Sequence, residues 1–538
     1  MKLTRRIFTA MSLLAAAALI VAAQPANAQG GGRRGGDETD QAQQGRRGGG
    51  AQQGAAQQPS TGQQNAARPV PPPEDRLSVT HHSARIGGQQ IDYTATAGVY
   101  VLKADDGTPL ASVFFVAYTK DGVQDPSKRP VAFSYNGGPG SASLFVHMGF
   151  GPRRVVLTPD GHGMPAPYSI VDNEDSFLDA TDIVFVDAIS TGYSRPAPGE
   201  NPNQFHGLME DANAFANFIR LYITRNSRWA SPKYLIGESY GTTRSAALSG
   251  ALEQRYQIYL NGIVLVSAVL NFQTLRPAPG NDLPYLAYFP TYATTAWYHH
   301  LVSADMQKLS VEQIAQQARE FADGEYATAL MKGDALSPAE HQKTVQQIAR
   351  FTGLTPKYIE ETDMRINPRR WFKELERDKR RTMGRLDSRF EGIDADAAGE
   401  APEYDPSEAS YEGAFVACFE DYLRRELKFE TDAEMFVSGQ VQPWNYPQNS
   451  YADVSETLRG AMSRQTYLKV LVVAGYYDVA TAFHGVEFTV NHMGLEPAIR
   501  KNISFTYYES GHMVYIDEKA HAKLHKDVDE FIIASYAH

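Results

Sequence analysis

The sequence has one cysteine, Cys418, in 538 residues. A lone thiol makes no intrachain disulfide, so the fold has to be held by packing rather than cross-links. Set in Phe415-Val416-Ala417-Cys418-Phe419, that thiol reads as a buried, inert side chain. No cysteine cluster and no His-Glu-x-x-His helix offers metal-ligand spacing, so no metal and no cofactor is expected. Basic residues are in deficit. The formal charge is −11, and it becomes −14 once residues 1–28, which hold Lys2, Arg5 and Arg6 and no acid, are set aside. So acidic a chain repels phosphate backbones, and no nucleic-acid partner is expected. Apolar runs are short as well. The N-terminal one, Met11 to Ala23, falls below the roughly 20 residues that cross a bilayer, and no later segment qualifies, so no stable membrane insertion is expected.

What is present begins with an address. Basic MKLTRRIFTA, the apolar stretch and Ala26-Asn27-Ala28 ahead of Gln29 describe a secretory signal peptide over residues 1–28. Arg5-Arg6 further resembles the bacterial twin-arginine export signal, which carries folded proteins, so an exported protein, periplasmic or secreted, is expected. Residues 29–76 are Gly, Gln, Ala, Arg and Pro with almost no aliphatic or aromatic side chains; such a segment cannot bury enough surface to offset chain entropy and reads as a disordered linker. The remainder suffices for one large domain with an insertion, or two small ones.

After Arg76 the pattern turns to strands. Val99–Lys103 and Ser112–Tyr118 flank Asp106-Gly107, a hairpin signal. Pro130–Tyr135, Asp182–Asp187, Lys233–Ile236, Ile263–Ser267, Lys469–Ala474 and Ile503–Tyr508 are short, nearly continuous apolar runs that suit strands covered on both faces. Between two of them, Phe215, Phe218, Ile219 and Tyr222 recur at helical spacing within Asp211–Asn226. Strands alternating with helices imply an α/β fold with a mostly parallel central sheet, functional residues collecting at the strands' carboxyl ends. Residues 275–440 break this rhythm, with helical periodicity in Ile314–Phe321 and Phe415–Leu427. They read as a helical cap inserted between two pieces of the main domain, 77–274 and 441–538.

Within Tyr234–Arg244 the order is strand, then Gly237-Glu238-Ser239-Tyr240-Gly241, then a possible helix over Thr242–Leu252. A serine on so tight a strand-to-helix turn has its hydroxyl thrust out of the backbone, and the glycines permit the crowding; this is the nucleophile elbow. A serine at its normal pKa needs a base, itself oriented by a carboxylate. In the chain order Ser, acid, His, the positions that follow strands are Asp478 and His512. Attack also creates an oxyanion, which needs backbone N–H donors aimed at it. The glycine-rich turn Ser134–Ser143 follows a strand, and the N–H groups of Gly138 and of Tyr240 are the expected pair.

Asn136-Gly137-Gly138-Pro139-Gly140, Gly237-Glu238-Ser239-Tyr240-Gly241, the strand leading to Asp478, and Gly511-His512-Met513-Val514 together resemble the serine carboxypeptidase family, with a weaker likeness over Asp187–Ser194. The resemblance implies an α/β-hydrolase fold with a helical insertion, no metal, and removal of C-terminal residues from peptides that end in a free carboxylate. It places the nucleophile, base and orienting acid on Ser239, His512 and Asp478, the oxyanion hole on Gly138 and Tyr240, and the grip on the substrate's terminal carboxylate on Asn136 and Glu238. Two adjacent carboxylates cannot both ionise cheaply, so Glu238 can hold another only with a proton shared between them, and faster peptide cleavage at mildly acidic pH is expected. The chain also departs from the family's pattern. Ser134 and Tyr135 stand where Trp-Leu is common, Ser141-Ala142-Ser143 where Cys-Ser-Ser is, and Tyr476 replaces an acid near Asp478. An esterase or acyltransferase on the same three residues, and a non-catalytic protein that binds through the cleft alone, remain alternative readings.

Overall fold

The computed structural model describes residues 71–536. The expected leader, and the linker as far as residue 70, lie outside them. Three long strands come first: β1 (Arg76–Ile86), β2 (Gln89–Lys103) and β3 (Pro109–Lys120), an antiparallel meander. Six follow: β4 (Val131–Tyr135), β5 (Asp182–Val186), β6 (Lys233–Glu238), β7 (Gly262–Val266), β8 (Lys469–Gly475) and β9 (Ile503–Tyr508). Their order across the sheet is β1-β2-β3-β5-β4-β6-β7-β8-β9, with Arg195–Pro196 added beside β3. Neighbours from β5 to β9 run parallel, and β5 meets β3 antiparallel. This mostly parallel sheet with helices on its faces is an α/β-hydrolase fold.

Alternation along the strands divides the interior in two, because successive side chains of a strand point to opposite faces. Phe115, Phe133, Leu235, Leu265 and Val472 enter one core, where the helices Leu208–Arg225, Tyr240–Tyr256 and Ser455–Arg464 pack. Their neighbours Phe114, Ala132, Tyr234, Val264 and Leu471 enter the other, closed by the helices Leu144–Phe150, Pro406–Arg425 and Glu518–Tyr536. β4, β5 and β7 are buried throughout, which is why their sequences read as unbroken apolar runs. β1 was not visible in that way. RLSVTHHSARI lies at the sheet edge with most side chains in solvent, so it carries no apolar run to recognise.

Residues 283–375 build a separate helical body. The helices Leu283–Tyr298, Val311–Phe321 and Pro338–Thr352 close over Phe289, Tyr292, Ile314, Ile348 and Trp371, and Val479 and Ala482 from beyond β8 join the same cluster. Ser310 and Ser337 each open a helix with a capping box, satisfying backbone N–H groups reciprocally. The inserted segment is not helical throughout and does not all leave the sheet. Thr382–Met383 pairs with Glu391–Gly392. The helix Pro406–Arg425, expected with the cap, packs against the sheet instead, its Phe415 ring 5.5 Å from that of Phe145. Periodicity shows that a helix has an apolar face but not which core receives it. Cys418 lies on this helix, buried, its thiol donating to the carbonyl of Ser169 at 3.6 Å. Among the described residues no helix is long and apolar enough to cross a membrane.

Candidate active site

The turn between β6 and the helix Tyr240–Tyr256 puts Ser239 at φ +60°, ψ −129°. A non-glycine residue so placed costs on the order of 1–3 kcal/mol and persists only where its surroundings fix it. Here Ser239 N donates to Val266 O at 3.0 Å, and Thr242 donates to Ser239 O through N at 2.9 Å and Oγ1 at 2.6 Å. The flanking glycines are steric necessities. A Cβ on Gly237 would stand 2.2 Å from Gly241 O, and one on Gly241 2.9 Å from Tyr135 O. Glu238 and Tyr240 are buried, while Ser239 between them is partly exposed.

Asp478 and His512 follow β8 and β9, the second and third strands along the sheet from β6. Asp478 is buried and fully engaged. Its Oδ1 accepts from the backbone N–H groups of Ala480 and Thr481 at 2.8 and 2.9 Å, and its Oδ2 from the Thr481 hydroxyl at 2.7 Å and from His512 Nδ1 at 2.8 Å. A carboxylate can only accept, so the proton of His512 sits on Nδ1 and Nε2 keeps its lone pair. Burial alone would lower the His512 pKa; the Asp478 carboxylate outweighs it and holds the imidazole above its ordinary value. All three residues follow the carboxyl ends of strands, and bonds tie the last two to the strand between, Ser267 donating to His512 O at 2.6 Å and Thr481 to Ser267 O at 2.9 Å. Among the described residues no hydrogen bond joins Ser239 Oγ to His512, the looseness common to substrate-free sites.

The glycine-rich turn after β4 lies directly on the elbow. A Cβ on Gly137 would stand 2.4 Å from Tyr240 N, and Gly138 takes φ +104°. The N–H groups of Gly138 and Tyr240 donate to nothing else among the described residues. Asn136 precedes them, its Oδ1 accepting from Val146 N at 3.0 Å and its Nδ2 donating to Glu238 Oε1 at 2.7 Å. Glu238 Oε2 is buried with no partner. Desolvation pushes the Glu238 pKa up to about 7, against the opposing pull of His512.

Sequence reasoning did not identify the groups that hold this arrangement. Arg244, itself buried, donates through Nε to Asp211 at 2.6 Å and through Nη1 to the carbonyl of Asn136 at 2.7 Å, bracing the glycine turn from below. The signal was an acid at the start of the apolar stripe of Leu208–Arg225 facing an arginine in a helix of small residues. Asp187, just past β5, accepts from Ser143 N at 2.8 Å and Tyr193 N at 3.3 Å; burial raises its pKa to about 6. The loop after Met383 clamps both strand ends: His512 N donates to Leu386 O at 2.7 Å, Gly511 N to Asp387 Oδ2 at 3.0 Å and Ser388 N to Tyr477 O at 3.0 Å. No local pattern marks such long-range contacts. At the departures noted above, Tyr135 Oη bonds to Ser245 Oγ at 2.8 Å and Ser134 Oγ is buried without a partner, so neither supplies a donor to the site.

A sequence model of one family, described as serine carboxypeptidase, matches residues 89–523. No curated protein sequence matches the chain. Solved structures similar to it include a proline iminopeptidase from Mycobacterium smegmatis (12% identical, TM-score 0.34, covering 82% of this chain and 98% of that one). Others are a peroxisomal α/β-hydrolase from Saccharomyces cerevisiae (9%, TM-score 0.31, 86% and 91%) and a juvenile hormone epoxide hydrolase from the silkworm Bombyx mori (14%, TM-score 0.27, 82% and 79%).

Proposed function

The chain belongs to the serine carboxypeptidase family, and on that premise we propose that it is an exported, periplasmic or secreted carboxypeptidase that removes C-terminal residues from peptides through an acyl-enzyme. Ser239 Oγ attacks the scissile carbonyl while His512 Nε2 takes its proton. Asp478 keeps the imidazole in the required tautomer and stabilises the cation that forms. The oxyanion is received by the N–H groups of Gly138 and Tyr240. The leaving amine takes the proton from His512, and water then repeats the sequence to release the acyl group.

The observation that carries the exopeptidase reading is the acid beside the nucleophile. A carboxyl group buried with a pKa of about 7 is half protonated near neutrality, and its free oxygen can then donate to a peptide's terminal carboxylate. Glu238 and His512 also titrate against each other. Protonating Glu238 removes a negative charge from beside the imidazole, which favours the neutral base catalysis requires. Cleavage of N-blocked dipeptides with a free or an amidated C-terminus tests the reading. The free acid is expected to be cleaved with kcat/KM higher by a factor of ~10 or more, the worth of one hydrogen bond to a charged group. Equal rates, with ester substrates turned over well, would favour an esterase or acyltransferase.

A further inference from the structure

Three ionisable side chains converge where the helix Leu283–Tyr298 ends: His299, its C-cap, Glu376, and Glu391 from the short pairing of Thr382–Met383 with Glu391–Gly392. One ring nitrogen of His299 and one carboxylate oxygen of each acid lie within 4.8 Å of one another. The other ring nitrogen fixes the tautomer. Nε2 stands 2.7 Å from Ser388 O, and a carbonyl can only accept, so the proton of the neutral ring sits on Nε2 and Nδ1 keeps its lone pair. That lone pair meets an acid, with Glu391 Oε1 3.3 Å from Nδ1. Two acceptors so close repel unless positive charge lies between them.

A second proton on the ring is one source of that charge, and it falls short. A charge-assisted N–H···O bond is about 2.7–2.9 Å long, shorter than this contact, and one proton on Nδ1 serves one acid at a time. The other acid then stays unanswered. Glu376 is 3% exposed; its Oε1 accepts from Lys379 Nζ at 2.5 Å, while its Oε2 is buried with no partner. Arg381 Nε lies 3.7 Å from Glu391 Oε2. Each base takes one oxygen of an acid, which leaves Glu376 Oε2 and Glu391 Oε1 for a further partner. A divalent cation engages both oxygens and Nδ1 together. Ligands about 2.0–2.2 Å from a tetrahedral zinc stand about 3.4 Å apart, close to the 3.3 Å between Nδ1 and Glu391 Oε1.

We propose that His299 Nδ1, Glu376 and Glu391 bind a zinc ion, with water completing the tetrahedron. One imidazole with two carboxylates suits zinc better than calcium or magnesium, which are held by oxygen. Glu391 is the exposed member and gives the ion its way in. The site braces the catalytic centre from behind: His299 Nε2 donates to Ser388 O, and Ser388 N donates to Tyr477 O, one residue before Asp478. The ligands come from separate parts of the chain, so no motif announces them.

The test is calorimetric titration of the EDTA-treated protein with zinc chloride. Wild type is expected to bind, and Glu391→Gln, a change at an exposed side chain, to bind ~100-fold more weakly or worse. Zinc at about 100 times its Kd should raise the wild-type melting temperature by about 3 °C and leave that of Glu391→Gln where it was. His299→Gln should behave like Glu391→Gln; if it does not fold, Glu391→Gln alone decides. Asp179, His525 and Asp529 form a second group with ligand spacing, so the titration is repeated in His525→Ala, where binding is expected to persist. A wild type that does not bind zinc, a Glu391→Gln variant that binds it as tightly as wild type, or binding lost in His525→Ala would overturn the site and leave His299 an imidazolium paired with Glu391.

Discussion

Asn136 Nδ2 donates to Glu238 Oε1 at 2.7 Å, joining residues 102 positions apart in the sequence. The bond distinguishes the two ends of the buried acid: Oε1 accepts from Asn136, and Oε2 does not. The same asparagine leads into Gly137 and Gly138. One side chain thus ties the expected oxyanion turn to the expected carboxylate grip, and the turn is in turn carried by Arg244 through the Asn136 carbonyl at 2.7 Å.

If Ser239, His512 and Asp478 act as a unit, their losses will be large and non-additive. Ser239→Ala and His512→Ala are each expected to lower kcat by a factor of ~10⁶, and Asp478→Asn by ~10⁴ through the wrong imidazole tautomer. Covalent labelling by a fluorophosphonate should disappear in Ser239→Ala while the circular dichroism spectrum stays that of wild type. A Ser239→Ala enzyme with near-normal turnover would refute the assignment.

Gly137→Ala addresses the oxyanion turn without touching a proposed catalytic side chain. Its new Cβ would stand 2.4 Å from Tyr240 N and 2.7 Å from Gly241 N, both backbone atoms that cannot swing aside. The turn must lift off the elbow, and kcat is expected to fall ~10²-fold, the cost of displacing one oxyanion donor. Steady-state kinetics on an ester substrate measure it.

The Asp211–Arg244 pair is almost wholly buried, its side chains 4% and 1% exposed. Asp211→Ala would leave a guanidinium uncompensated inside the protein, and a loss of about 3–5 kcal/mol is expected in urea unfolding. The double variant Asp211→Ala, Arg244→Met should recover part of it, since an apolar replacement needs no counter-charge.

Much of this architecture was legible in the sequence. The buried strands declared themselves because a strand covered on both faces must be apolar at every position, as in β4 and β7. The elbow did so because glycine is obligatory on both sides of Ser239. The exposed β1 gave no such signal. The destination of Pro406–Arg425 was hidden because two cores compete for any apolar helix face. The contacts of Arg244, Asp187 and Leu386 depend on partners brought together only by the fold, and no spacing along the chain encodes them.

The most direct test of the central claim is the pH dependence of one ratio: kcat/KM for a free-acid peptide divided by kcat/KM for an ester without a terminal carboxylate. The ionisable groups that face Glu238 are His512, Asp478, Tyr515 and Tyr411. Demands on His512 are common to both substrates and cancel. Below about 7 Glu238 carries its proton and donates to the carboxylate; above, it is an anion that repels it. The account predicts a ratio that falls as pH rises through about 7 in the wild type and is flat in Glu238→Gln, whose amide donates at every pH. A ratio independent of pH in the wild type, or an undiminished fall in Glu238→Gln, would contradict it.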